Sequence, residues 1–241
     1  MIPKRIHYIW FGGNPLTPLA ERCIASWKKF CPDYEIVRWD ESNFDDGGNR
    51  YFQEALAAKK WAFASDYARL KVLIEHGGVY MDTDVEVLRP LDRFLSDRAF
   101  SGFEAKDRIP TGIMASEASH PLFEQLLRDY DNRRFLKANG QFDLTTNVTY
   151  ITEALLAAGL VLNNQKQTVA GFTLYPSDFF CPKDWLTGNM NITDNTCTIH
   201  HFDGSWATGG TRLKNGLMRL VGPGGVSRFK QVKRLLRGEN G

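Results

Sequence analysis

The chain has 241 residues, of which 43% are hydrophobic, so it can bury one large core or two tightly joined halves and is neither disordered nor fibrous. A formal net charge of +2 gives no global electrostatic reason for binding nucleic acid, and no nucleic-acid partner is expected. The opening residues lack an apolar stretch of signal-peptide length, and no run approaches the roughly 18 apolar residues of a membrane span, so a cytoplasmic location is expected.

In chain order, Arg5 to Phe11 (RIHYIWF) is rich in β-branched and aromatic residues and stops at Gly12-Gly13, which predicts a strand ending in a tight loop. Thr17-Pro18 opens a helix on which Leu19, Cys23, Trp27 and Phe30 recur every three to four residues. Glu35 to Trp39 (EIVRW) follows as a second strand. Strand, helix and strand in so short a span make a βαβ unit, hence a parallel sheet flanked by helices, with ligands expected beyond the C-terminal strand ends. A long helix is predicted from about Phe52 to His76, ended by Gly77-Gly78, with Val79-Tyr80-Met81 as a buried strand after it. Pro121 to Leu136 and Leu144 to Ala158 read as helices, and Cys197 to Phe202 as a strand. Cys23, Cys31, Cys181 and Cys197 are spaced too widely for CxxC pairing and read as reduced, packed thiols. Gly222-Pro223-Gly224-Gly225 divides a body of residues 1–221 from a basic tail, 222–241.

Two places in the chain carry charge where apolar side chains are expected. Asp82-Thr83-Asp84 leaves the buried strand, and in extended chain residues i and i+2 point to one side. Two carboxylates so placed repel unless a cation lies between them or water solvates them; a hard divalent ion completed by substrate phosphate fits the first case, and an ordinary exposed β-turn the second. Among 17 aspartates about one such pair arises by chance, and Asp129-Tyr130-Asp131, in a polar run with several arginines, reads as a solvated face. The second place is the preceding helix, where Asp66 and Arg69 fall in the middle of the face formed by Ala62, Phe63, Leu70 and Leu73. They are either a buried structural ion pair or the wall of a polar pocket, with Arg69 neutralising phosphate and Asp66 bonding substrate hydroxyls.

The block from Ala64 to Asp92 (ASDYARLKVLIEHGGVYMDTDVEVLRPLD), with the opening IPKRIHYIWFGG and the later HHFDGSW, resembles glycosyltransferase family 32, the sugar-binding-region glycosyltransferases with a DXD motif. The resemblance implies a GT-A fold, that is, a Rossmann-like α/β domain with a mixed, mostly parallel central sheet, in which 1–92 is the nucleotide-sugar-binding half and 93–221 the acceptor half with a closing loop. It also implies a UDP-sugar or other nucleotide-sugar donor, a divalent ion (Mn²⁺ or Mg²⁺), and hexose transfer with retention to a glycan or lipid-linked saccharide in surface polysaccharide synthesis. By the same resemblance, Trp10 stacks on the base and Tyr80 lines its pocket. Asp66 and Arg69 contact donor sugar and phosphate, Asp82 reaches sugar hydroxyls directly or through the metal, and Asp84 ligates the metal. His201 closes the metal site, with His200 as the alternative, and Ser205 and Trp206 cap the diphosphate. Asn147 and the segment 109–115 are candidates for sugar or acceptor contacts.

Two rival readings remain at this level. One is a phosphatase with an Asp-x-Asp nucleophile, although Glu86 stands where that pattern has Thr or Val; the other is a carbohydrate-binding module without catalysis. The tail from Val226 to Arg237 (VSRFKQVKRLLR) has its apolar residues near helical spacing among basic ones, which fits peripheral contact with an anionic membrane or a terminal helix docked on the body.

Overall fold

The computed structural model describes residues 1–104, 108–109, 112–185 and 187–203; Ser205, Trp206 and the basic tail lie outside the described residues. The first three elements follow the expected unit. β1 (Arg5–Ile9) pairs in parallel with β2 (Glu35–Trp39), and α1 (Pro18–Phe30) connects them. Thr17 caps α1 by accepting a hydrogen bond from the Ala20 amide, and Pro18 sits in the first turn, where its missing N–H is not needed. β1 stops two residues short of the expected Phe11.

The predicted helix from Phe52 to His76 is two helices, α2 (Arg50–Ala57) and α3 (Trp61–His76). The break falls at Lys59, whose φ of 55° no continuing helix accommodates, while the Lys60 amide turns back to the Ala55 carbonyl. α3 ends at Gly77, and Gly78 opens β3 (Gly78–Met81), which is buried throughout. Gly78 has φ of +104°, and a Cβ there would lie 2.7 Å from the Arg5 carbonyl oxygen. The side-chain-free backbone is therefore what lets β3 draw in beside β1.

Next come β4 (Val85–Val87), β5 (Ala99–Gly102) and β6 (Ile113–Ser116). α4 (Pro121–Arg128) is shorter than the predicted 121–136, because the chain tightens into a 3₁₀ turn at Asp129–Asn132 and then leaves helical conformation. α5 (Asn147–Ala157), β7 (Gln167–Val169), β8 (Phe172–Tyr175) and β9 (Thr198–His200) complete the order, with a short turn of helix, α6 (Ser177–Phe180), before β9. Asp129 and Asp131 are exposed, as a solvated face requires. All four cysteines are free and buried.

The main sheet runs β2-β1-β3-β6-β5-β8-β7, and only β6 and β7 oppose the direction of the other five. This is the mixed, mostly parallel sheet of a GT-A architecture. Alternation along the strands fills two cores. Ile6, Tyr8, Val79 and Met81 point to one face with Trp27 of α1, whereas Ile9 and Tyr80 point to the other with Leu70 and Leu73 of α3. Since α1 and α3 cover opposite faces, the chain switches direction of winding between β1 and β3. A separate two-stranded sheet, β4 with antiparallel β9, stands at that point.

Candidate active site

Two carboxylates leave the C-terminal end of β3. Asp82 and Asp84 sit on a turn closed by the Val85 amide bonding to the Asp82 carbonyl, rather than on extended chain as the strand argument supposed. The short sheet brings an imidazole to them from far along the sequence. Val85 pairs across the ladder with His200, and His200 Nε2 lies 3.3 Å from Asp84 Oδ1. One ligand atom each from Asp82, Asp84 and His200 lie within 4.8 Å of one another, a set of two oxygens and one nitrogen that suits a divalent ion.

His201, the residue the resemblance favoured, points elsewhere. Its Nε2 lies 2.7 Å from Glu86 Oε2, because adjacent side chains at the end of a strand diverge to opposite sides. Its backbone still serves the site, through an amide hydrogen bond of 3.0 Å to the Asp84 carbonyl. The Asp203 amide donates to Asp84 Oδ2 at 2.9 Å.

A second layer lies beneath the acids. Arg69, 4% exposed, reaches Asp66 at 3.1 Å and Asp82 at 3.3 Å, and its guanidinium lies 4.6 Å from the centre of the Tyr80 ring. The Tyr80 hydroxyl donates to Asp82 Oδ1 at 2.6 Å. Tyr80 is only 2% exposed and belongs to the core beside α3, so it orients Asp82 from below instead of offering a face to a base. Trp10, at the end of β1, is partly exposed and donates from its indole N–H to the Asn14 carbonyl. Asn147, at the start of α5, clamps Asp66 twice: its amide bonds to Oδ2 and its side-chain NH₂ to the Asp66 carbonyl.

Electrostatics separate the carboxyls. Burial raises Asp66 to about 6, against the pull of Arg69 and the Asn147 amide, and burial also raises Asp82. Burial acts on Asp84 in the same sense, but His200 and the Asp203 amide outweigh it and hold the carboxyl at about 2. Burial disfavours charge on His200, and the Asp84 carboxylate reverses this, raising the imidazole well above 6.5. The Asp84–His200 pair thus keeps a proton where a cation would sit.

Residues 18–101, which include Asp66, Arg69, Asp82 and Asp84, match the family described as "Glycosyltransferase sugar-binding region containing DXD motif". The chain carries the sugar-binding region of the DXD glycosyltransferases. It is 26% identical to an uncharacterized glycosyltransferase of Acanthamoeba polyphaga mimivirus, over 86% of this chain and 84% of that protein. It is 28% identical to inositol phosphoceramide mannosyltransferase 3 of Schizosaccharomyces pombe, over 53% of this chain but only 37% of that longer protein. Among solved structures, the PaToxG glycosyltransferase aligns with a TM-score of 0.48 at 20% identity, over 65% of this chain and 69% of that one. The galactosyltransferase LgtC, solved with donor and acceptor sugar analogs, aligns at 0.45 and 15%, over 89% and 93%. The fold of this chain rests on its own strand order.

Sequence reasoning brought Asp66, Arg69, Asp82 and Asp84 to one place, and the structure adds Gly112. Its carbonyl accepts from the Asp82 amide, and a Cβ on it would lie 2.8 Å from His200 Nδ1. Gly112 falls inside the 109–115 segment named for sugar or acceptor contacts, but its place against the His200 ring joins segments far apart in the chain and leaves no local signal.

Proposed function

We propose that this glycosyltransferase moves a hexose from a nucleotide-sugar, UDP being the first candidate nucleotide, to a glycan or lipid-linked saccharide with retention of anomeric configuration. The observation that supports it most is the convergence of Asp82, Asp84 and His200 at the switch point between β1 and β3, directly above the Asp66–Arg69 pair. These three residues would hold Mn²⁺ or Mg²⁺. A divalent ion bound there supplies positive charge to the diphosphate as it departs.

The bond that breaks joins the anomeric carbon to the diphosphate oxygen, which keeps the electron pair. The bond that forms joins the same carbon to an acceptor hydroxyl oxygen, whose proton is released. Arg69 stays charged, because Asp82, Tyr80 and Asp66 together outweigh its burial, and so provides a fixed positive charge beside the leaving group's path. Tyr80 and Arg69 hold Asp82 in one orientation before substrate arrives. Asp66, fixed by Asn147, is placed to bond sugar hydroxyls and to favour the positive character that develops on the ring. Trp10 would carry the base, and Ser205 and Trp206 the diphosphate. The reaction is placed at the cytoplasmic face, in synthesis of a surface polysaccharide. The names of the Schizosaccharomyces pombe relatives specify mannose and an inositol phosphoceramide, which makes GDP and a lipid acceptor the second combination to try.

Isothermal titration of UDP and GDP, with and without Mn²⁺, on wild type and on Asp84→Ala tests this reading. Nucleotide binding that needs the ion in wild type and loses that dependence in the variant is the expected result. Failure of both nucleotides under every metal condition overturns it in favour of a carbohydrate-binding module or a phosphatase.

A further inference from the structure

Between α4 and α5 the chain makes a small hairpin in which Leu136 pairs with Phe142, closed by a bond from the Lys137 amide to the Gln141 carbonyl. Cross-strand partners share a side, and residues two apart in extended chain do too, so Leu136, Phe142 and Leu144 form one face. That face is turned outward, with exposures of 44%, 40% and 61%. On the inward side Phe135 is buried and packs on Phe63 and Tyr51, the Phe142 ring stacks on Phe135 with ring centres 5.1 Å apart, and Asp143 is held by Thr145, Lys137 and Tyr150. A hairpin anchored through Phe135, with Phe142 half-exposed on top of that ring and Leu136 and Leu144 turned to solvent beside it, has the polarity of a contact surface.

Basic side chains edge the apolar strip toward solvent, while the exposed acids Asp129 and Asp131 lie before it in the chain. Arg134 pairs with Glu54 and Lys137 with Asp143, and in both pairs the base is the exposed partner, 53% against 18% and 50% against 15%. Lys60 adds its ammonium 5.9 Å above the Phe142 ring, and Lys59 beside it is exposed. An apolar strip edged by cations whose counter-ions lie underneath complements a hydrocarbon surface edged by anions.

We propose that the Leu136–Phe142–Leu144 face docks on an anionic lipid surface. Leu144 stands three residues before Asn147, the clamp on Asp66, so a lipid surface held there lies next to the site. That a lipid-linked acceptor is presented from it rests on the transferase reading; the docking itself does not.

The test is cosedimentation of the full chain with phosphatidylcholine vesicles, with and without phosphatidylglycerol. It is repeated on Leu136→Ser/Phe142→Ser/Leu144→Ser and on Lys59→Glu/Lys60→Glu, each first compared with wild type by thermal unfolding. The expected result is binding that prefers the anionic vesicles, falls about tenfold in the apolar variant and loses its anionic preference in the charge variant. The charge variant carries the test if the apolar one fails to fold. Absence of wild-type binding overturns the proposal, as does wild-type binding in the folded variants, which would assign the contact to the tail. A wild-type dimer that the apolar variant turns monomeric, without vesicle binding, overturns it in favour of a second copy of the chain.

Discussion

Asp66 is a carboxyl kept partly against its ordinary preference. The fold raises it from 3.8 to about 6 by burial, although Arg69 and the Asn147 amide favour its charge. A group whose folded pKa lies above its unfolded value binds more protons in the folded state across the interval between them, so stability falls as pH rises through that interval. From 3.8 to about 6 the wild type should therefore lose about 3 kcal/mol relative to Asp66→Asn, a change that urea unfolding at a series of pH values would read. A constant difference between the two proteins across that window would mean that the carboxyl is not strained. At the same scale, Asp66 and Arg69 were legible in the sequence because charges in the middle of an apolar helical face stand out. The choice between His200 and His201 was not, since one residue of register in β9 decides which imidazole meets Asp84 and the sequence offers two in a row.

At the scale of elements, the site is assembled where two turns meet: the one that carries the acids after β3 and the one that leads into β6. Gly112 is the contact between them, because its carbonyl takes the Asp82 amide while its bare Cα leaves room for the His200 ring. Gly112→Ala places a methyl 2.8 Å from His200 Nδ1, so the imidazole has to turn away. Affinity for Mn²⁺ should fall about tenfold to a hundredfold with the fold retained. Isothermal titration checks this, and no additional loss should appear when Gly112→Ala is added to His200→Ala. α1 and β2 matched their predicted bounds because caps and alternation are local signals. The long helix breaks at Lys59, whose left-handed conformation no composition rule specifies; the buried strand ends at Met81 as expected, while the extended geometry assumed for Asp82–Asp84 gives way to a turn.

For the whole molecule, the main sheet and the β4–β9 pair are distinct hydrogen-bonded systems, and the metal-ligating candidates straddle them. Asp82 follows a strand of the first, while Asp84 and His200 flank the second. Binding of an ion to both should fasten one to the other, stabilising the folded state by about 2.7 kcal/mol at a hundredfold excess over Kd. Hydrogen exchange with and without Mn²⁺ should show the added protection in Asp82–Val87 and Thr198–His200 and little in β7; uniform protection, or none, would contradict this. A parallel sheet with helices on its faces was foreseeable from the first forty residues, where the βαβ unit is complete; its mixed character came only with the family resemblance. The small sheet was not, since its strands are three residues each and lie more than a hundred positions apart.

That separation also orders events in time. A ribosome that has released the chain as far as Thr196 has delivered both carboxylates, Arg69 and the whole main sheet, but neither histidine. The nascent protein therefore holds its acids without their imidazole while residues 85–199 are made, and the complete candidate metal set exists only once β9 has emerged and paired with β4.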